Sequence, residues 1–189
     1  MKFELKYRRA LFGLVGAAVV GSIMLAPMVN AQENSDVTQE ITGGVLTATI
    51  ADAQMDDVAY SQIEGLTEGN LTLSIDDLRG TSEGWAVTVE SGDFVYGGLS
   101  TIGLDLPATG FSITAPGIPA DISGQPTGLG GPLFVDGGSL DTARTTITAG
   151  DGFGSGSYTQ ELPVELVIPA FSQTGLYTAT LIVTTVAAP

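Results

Sequence analysis

The side chains able to do chemistry in this chain are carboxylates and hydroxyls, because the other usual catalytic groups are missing. There is no His and no Cys, and no Lys beyond Lys6. That removes thiol and imidazole nucleophiles, Schiff bases, a P-loop lysine and zinc-finger ligation. Two carboxylates would suffice to hydrolyse a glycoside, but none of the twenty-one Asp and Glu residues stands out as a pair. A sugar-cleaving groove would also call for more aromatic residues. Neither an enzyme nor a cofactor is expected. For metals, the candidates are Asp52, Asp56 and Asp57, since Ca²⁺ takes several oxygen ligands from a flexible loop. Asp76 and Asp77 adjoin, and Asp136, Asp141 and Asp151 lie in Gly-rich stretches. No stretch has EF-hand spacing or a Gly-Gly-x-Gly-x-Asp repeat, so solvated acidic loops are the preferred reading.

The charge is distributed unevenly. Four of the six basic residues (Lys2, Lys6, Arg8, Arg9) fall in residues 1–9; beyond them, Arg79 and Arg144 face twenty acids, a net of −18. Such a body repels phosphate backbones, so no nucleic-acid partner is expected. Residues 10–26 form an uncharged, apolar run rich in Gly and Ala, Pro27 breaks it, and Val29-Asn30-Ala31 supplies small residues for a peptidase. This order of charged, apolar and cleavage regions predicts a secretory signal over residues 1–31, cut after Ala31. A retained anchor is the other reading, because the run is about as long as the shortest spanning helices. Arg8-Arg9 alone does not distinguish a twin-arginine route. The exported part, residues 32–189, is expected to lie outside the cell, secreted or at the cell wall or surface, with no further membrane span. It has no disulfide to staple it, and its length suffices for one domain with its own core.

The elements that would carry any site read as strands and turns. Residues 45–50 place Leu46, Ala48 and Ile50 on one face, and residues 71–75 do the same with Leu71, Leu73 and Ile75. Residues 85–89 set Trp85, Val87 and Val89 against Ala86 and Thr88. Residues 145–149 and 162–168 repeat the pattern, the latter with Leu162, Val164, Leu166 and Ile168 inward and Glu161 and Glu165 outward. Alternation of one apolar and one threonine-rich face is what a half-buried antiparallel strand needs. The expected fold is an all-β antiparallel sandwich, Greek-key-like, forming a single domain over residues 45–189. The last run, residues 176–186, is the longest and most regular, and is expected to be central to a sheet. Residues 32–44 are polar and acidic and are expected to form a flexible lead-in. Five prolines in residues 107–132 predict edge strands and ordered loops around one strand-like piece, residues 111–114.

Two segments resemble a known family. Residues 71–89 run as a strand, then Asp77-Leu78-Arg79-Gly80, a short polar turn, and Gly84-Trp85-Ala86-Val87. This is similar to the signature of WxL-domain proteins. Gly156-Ser-Tyr-Thr159, Leu166-Val-Ile-Pro169 and Gly175-Leu-Tyr-Thr-Ala-Thr-Leu181 resemble the end of the same domain. The resemblance implies a secreted β-sandwich associating non-covalently with the bacterial cell wall, through peptidoglycan or an attached polymer. It makes Trp85, Val87, Asp77 and Arg79 the candidates for wall contact. The chain departs from the family in two places. The first motif has Val87 where Leu is usual, and Leu181-Ile182-Val183 stands where a second Trp-x-Leu would be.

Taken as residues, the motif has a plainer reading. Trp85 is the only tryptophan and is in phase with Val87 and Val89, which suits a core anchor better than a platform stacking on glycan rings. Arg79 is expected to pair with Asp76 or Asp77 and clamp the turn, while Gly80 and Gly84 supply unusual backbone angles. Leu106-Pro-Ala-Thr-Gly110 matches a sortase signal but lies far from the C-terminus with no basic end, so it is a chance match. The alternative function is a self-assembling extracellular fibre or matrix subunit, in which residues 32–44 add as a strand to a neighbour.

Overall fold

The computed structural model describes residues 37–98, 104–127 and 130–187. The predicted signal and cleavage site lie outside the described residues. The remainder, from Ile41 onward, clusters as one compact unit. It is an antiparallel β-sandwich, with no α-helix among the described residues.

The first sheet takes β1 (Leu46–Ile50), β2 (Gly65–Asp77), β5 (Phe111–Ile113), β6 (Ala120–Gly124), β8 (Gly138–Ser139) and β10 (Gly156–Ile168). Their order is β1-β2-β10-β5-β8, with β6 also on β10. The second sheet takes β3 (Trp85–Ser91), β7 (Leu133–Phe134), β9 (Arg144–Ala149) and β12 (Leu181–Ala187), in the order β12-β3-β9-β7. A small ribbon pairs β4 (Val95–Tyr96) with β11 (Tyr177–Thr178). Neighbouring strands are mostly distant in sequence, and the chain passes repeatedly from one sheet to the other, as in Greek-key sandwiches.

The core is the set of inward alternating residues. Leu71, Leu73 and Ile75 of β2 and Tyr158, Leu162, Val164 and Leu166 of β10 face Trp85, Val87 and Val89 of β3 and Ile147 of β9. All are buried, which removes their apolar area from water, the main driving force for folding. The outward face of the first sheet is polar. There Glu161 accepts from Asn70 and from Thr72 (3.0 Å), and Asp76 accepts from Ser157 (2.5 Å).

Two strand expectations change. β2 and β10, thirteen residues each, are the longest strands and pair along their whole lengths. Their early halves carry Gly65, Gly69, Gly156 and Gln160, which hide the alternation. The run over residues 176–186 is split between β11 and β12, because β3 ends at Ser91 and Gly92 caps the break by donating to the Thr180 carbonyl at 3.1 Å. β12 is moreover an edge strand, with Leu181 and Val183 only half-buried. The expected strand over residues 162–168 holds as the later half of β10, with a proline inside it. Pro163 lies opposite Asn70, and on its other side its carbonyl accepts from the Thr114 N–H at 2.9 Å, just past the end of β5, so the missing donor falls where that ladder stops. The expectation for residues 111–114 holds as β5, and Leu106 and Ala108 of the sortase-like stretch are buried beside it.

Of the lead-in, Val37 and Ile41 are exposed, but Gly44 donates to the Leu78 carbonyl. Gly43 lies so near the Arg79 carbonyl that a Cβ would overlap it. The end of the lead-in is therefore docked against the turn that follows β2.

Candidate functional site

Asp77 is in phase with Leu73 and Ile75, so β2 turns its carboxylate inward and leaves the residue 2% exposed. A buried carboxylate is costly without partners. Arg79 supplies them through a two-pronged contact, with Nε donating to Oδ1 at 2.9 Å and Nη2 to Oδ2 at 3.0 Å. The Arg79 backbone N–H adds a third bond to Oδ1 at 3.1 Å. Nη2 also donates to the Glu83 carbonyl at 2.5 Å, which closes the turn on itself. The hydrogen bond to Asp77 raises the Arg79 pKa above its ordinary value; the charges of Asp77 and Glu83 add to this and burial opposes it. Asp76, the other expected partner, instead faces outward to Ser157.

Gly80 has φ +71°, a backbone conformation that glycine adopts without strain. Gly84 serves differently from the expectation. Its need is space, since a Cβ there would lie 2.4 Å from the Ala149 carbonyl oxygen. This close approach delivers the chain into β3 against β9.

Trp85 then enters the core with 1% exposure and donates from Nε1 to the Gly154 carbonyl at 3.0 Å. Gly154, at φ +83°, lies where any Cβ would strike the indole nitrogen. The Tyr158 ring packs on the indole with centroids 6.2 Å apart, and its one hydroxyl proton is shared between the carbonyls of Gln125 (2.8 Å) and Ser155 (3.0 Å). Burial pushes the Tyr158 pKa up.

Of the four wall-contact candidates, the structure thus joins Asp77, Arg79 and Trp85 into one turn-and-strand unit, with Val87 two residues on. It corrects the glycan-platform reading of Trp85, and it gives Val87, 0% exposed, no surface to offer either. Asp77 is likewise buried, and Arg79 spends its donors on the turn. The unit is a scaffold, and any surface it presents is made by residues 78–83 around it.

A concave surface lies at the other end of β2. A groove of about 1050 Å³ opens there, floored by Leu71, Phe94, Leu106, Phe111 and Leu166. Its walls are the irregular segment 50–61 and residues 172–181, which include Tyr177. The Tyr177 hydroxyl donates to the Gln173 carbonyl at 2.8 Å, and burial, then the neighbouring Tyr96, raises its pKa. Asp52, Asp56 and Asp57 line the rim and are exposed. Among the described residues, no three acidic side chains converge as a cation site would require. Sequence reasoning missed this groove. The available signal was the interruption between residues 50 and 65, where Met55, Val58, Tyr60 and Ile63 are apolar without a strand or helix period.

In comparisons with known proteins, no family model matches the chain, and no curated protein and no solved structure matches it.

Proposed function

We propose that this is a secreted, non-catalytic bacterial surface protein whose WxL-like sandwich associates non-covalently with the cell wall, through peptidoglycan or a polymer attached to it. The observation that carries this reading is the unit formed by Asp77, Arg79, Gly84 and Trp85. The residues bearing the family resemblance make one hydrogen-bonded scaffold, which supports a shared fold more directly than shared composition would. Its acidity shapes how binding behaves. A body with a net charge of −18 is repelled by anionic wall polymers, so association strengthens with acid, added salt or divalent cations, which neutralise or screen that repulsion. Sedimentation with purified cell wall tests the proposal. The protein is expected in the pellet, increasingly so with salt or divalent ions, and recovery in the supernatant at every salt and pH would overturn wall association.

A fibre or matrix subunit is the second reading, favoured by a stretch of β2 that lacks a strand partner on one side. Against it stands the donor it requires. Residues 32–44 carry Glu33, Asp36 and Glu40 with no cation, and would approach an acidic rim.

A further inference from the structure

β1 covers only part of the edge of β2. It pairs with residues 73–77, whereas β10, on the other side, pairs with all of Gly65–Asp77. Antiparallel strands send the N–H and C=O of alternate residues to the same side. Leu78 bonds Val45 and Gly44 on the β1 side, and the Glu68 carbonyl accepts from Asp56 on that side, so Leu66 and Asn70 point their main chain the same way. Among the described residues, Asp56 N–H to the Glu68 carbonyl, at 3.0 Å, is the one main-chain bond reaching residues 65–71 from there. The edge lies directly along the groove with the apolar floor. Among the described residues no Lys or Arg lines that groove, while Asp52, Asp56 and Asp57 do. Both cations of the body are engaged elsewhere, Arg79 with Asp77 and Arg144 with Asp136.

We propose that this half-edge and groove take up an extended segment of another protein whose side chains alternate between apolar and basic. The segment adds as a strand beside residues 65–71, roughly 20 Å of edge. Main-chain groups of Leu66 and Asn70 provide hydrogen bonds, and every second side chain of the guest faces the floor of Leu71, Phe111 and Leu166. The intervening Lys or Arg residues face Asp52 and Asp57, and charge of that sign is what the rim lacks. Segment 51–60 now straps this edge. Met55 packs over Gly69, where a Cβ would lie 2.6 Å from its sulfur, and the Thr67 hydroxyl donates to the Asp56 carbonyl at 2.7 Å. The guest enters between β2 and the strap, one of its apolar side chains replacing Met55 over Gly69, while Asp52 and Asp57 of the strap stay beside it. The inference goes beyond wall association and does not depend on it.

The chain, expressed in full and purified as it leaves an exporting host, is titrated with a fluorescent peptide alternating valine and lysine. Saturable binding is expected, with slowed amide exchange at Leu66 and Asn70. Affinity should fall about tenfold in the triple variant D52N/D56N/D57N, whose changes are all exposed, and should fall with added salt. Leu66→Pro removes an edge donor while leaving the ladder to β10, and should abolish binding with an unchanged circular dichroism spectrum. The proposal is overturned by equal binding of a valine–glutamate peptide, or by tighter binding of a peptide spanning residues 32–44. It is equally overturned if no peptide binds, or if the triple variant binds as before.

Discussion

At its C-terminal end β2 runs into the Asp77–Arg79 turn, where nearly every polar group has a named partner. At its N-terminal end the same strand borders a groove, with a neighbour on one side only. The closed end spends its charges internally: one buried carboxylate, one guanidinium, and two glycines that let backbone and indole approach. The open end leaves its carboxylates exposed and its floor apolar. The lesson is that a recognisable motif need not mark the surface that binds. Fixed residue types are demanded most where geometry is tight, and a groove that accepts a flexible guest demands only polarity.

That contrast is broken most severely at the closed end. Asp77→Ala leaves Arg79 without its buried partner and should destabilise the domain by about 3 kcal/mol in chemical denaturation, the low end for a buried pair because the Arg79 side chain keeps 14% exposure. A loss near zero would show that the clamp is ornamental. Next in size, Trp85→Phe shrinks the core and strands the Gly154 carbonyl, for an expected loss of about 2 kcal/mol. Wall sedimentation should be unaltered under conditions where the variant is folded, since the indole has no surface.

Tyr158→Phe removes a hydrogen bond shared between two carbonyls and should cost about 1 kcal/mol at neutral pH. The effect fades in alkali. Because burial raises the Tyr158 pKa in the folded state, its contribution is complete below the unfolded value of about 10 and is lost as pH rises through the folded value. The stability difference between wild type and variant should therefore hold steady below about pH 10 and narrow as pH rises beyond it. A constant gap would contradict the burial argument. The smallest effect belongs to the open end. Thr67→Val deletes the bond to the Asp56 carbonyl and should cost about 0.5 kcal/mol, while amide exchange in residues 52–60 accelerates selectively. Equal acceleration across β2 would mean that the strap is part of the core after all.

Much of the sandwich was legible. Residues 45–50, 71–75, 85–89, 145–149 and 162–168 became strands because alternation at period two leaves one apolar face to bury. The early halves of β2 and β10 were not legible, because glycine and a buried Gln160 interrupt the pattern and only the facing strand holds them extended. The tail misled for the opposite reason. Its alternation is unbroken, yet its neighbour is interrupted between Ser91 and Val95, and a ladder needs both members. At the motif, the pairing of Arg79 was foreseeable but its partner was left open. Phase decides it, since Asp77 follows Ile75 on the inward face and Asp76 does not.

The amino-acid order alone settled the class of structure and the chemistry withheld from it. A chain without imidazole or thiol, with apolar residues at every second position, has few other ways to bury its surface. What folding in three dimensions decided was contact between distant segments: which strand lies beside β2, that β1 stops short of its full length, and that five core side chains floor an open groove. Those outcomes depend on the relative lengths of strands far apart in sequence, and no local pattern encodes them.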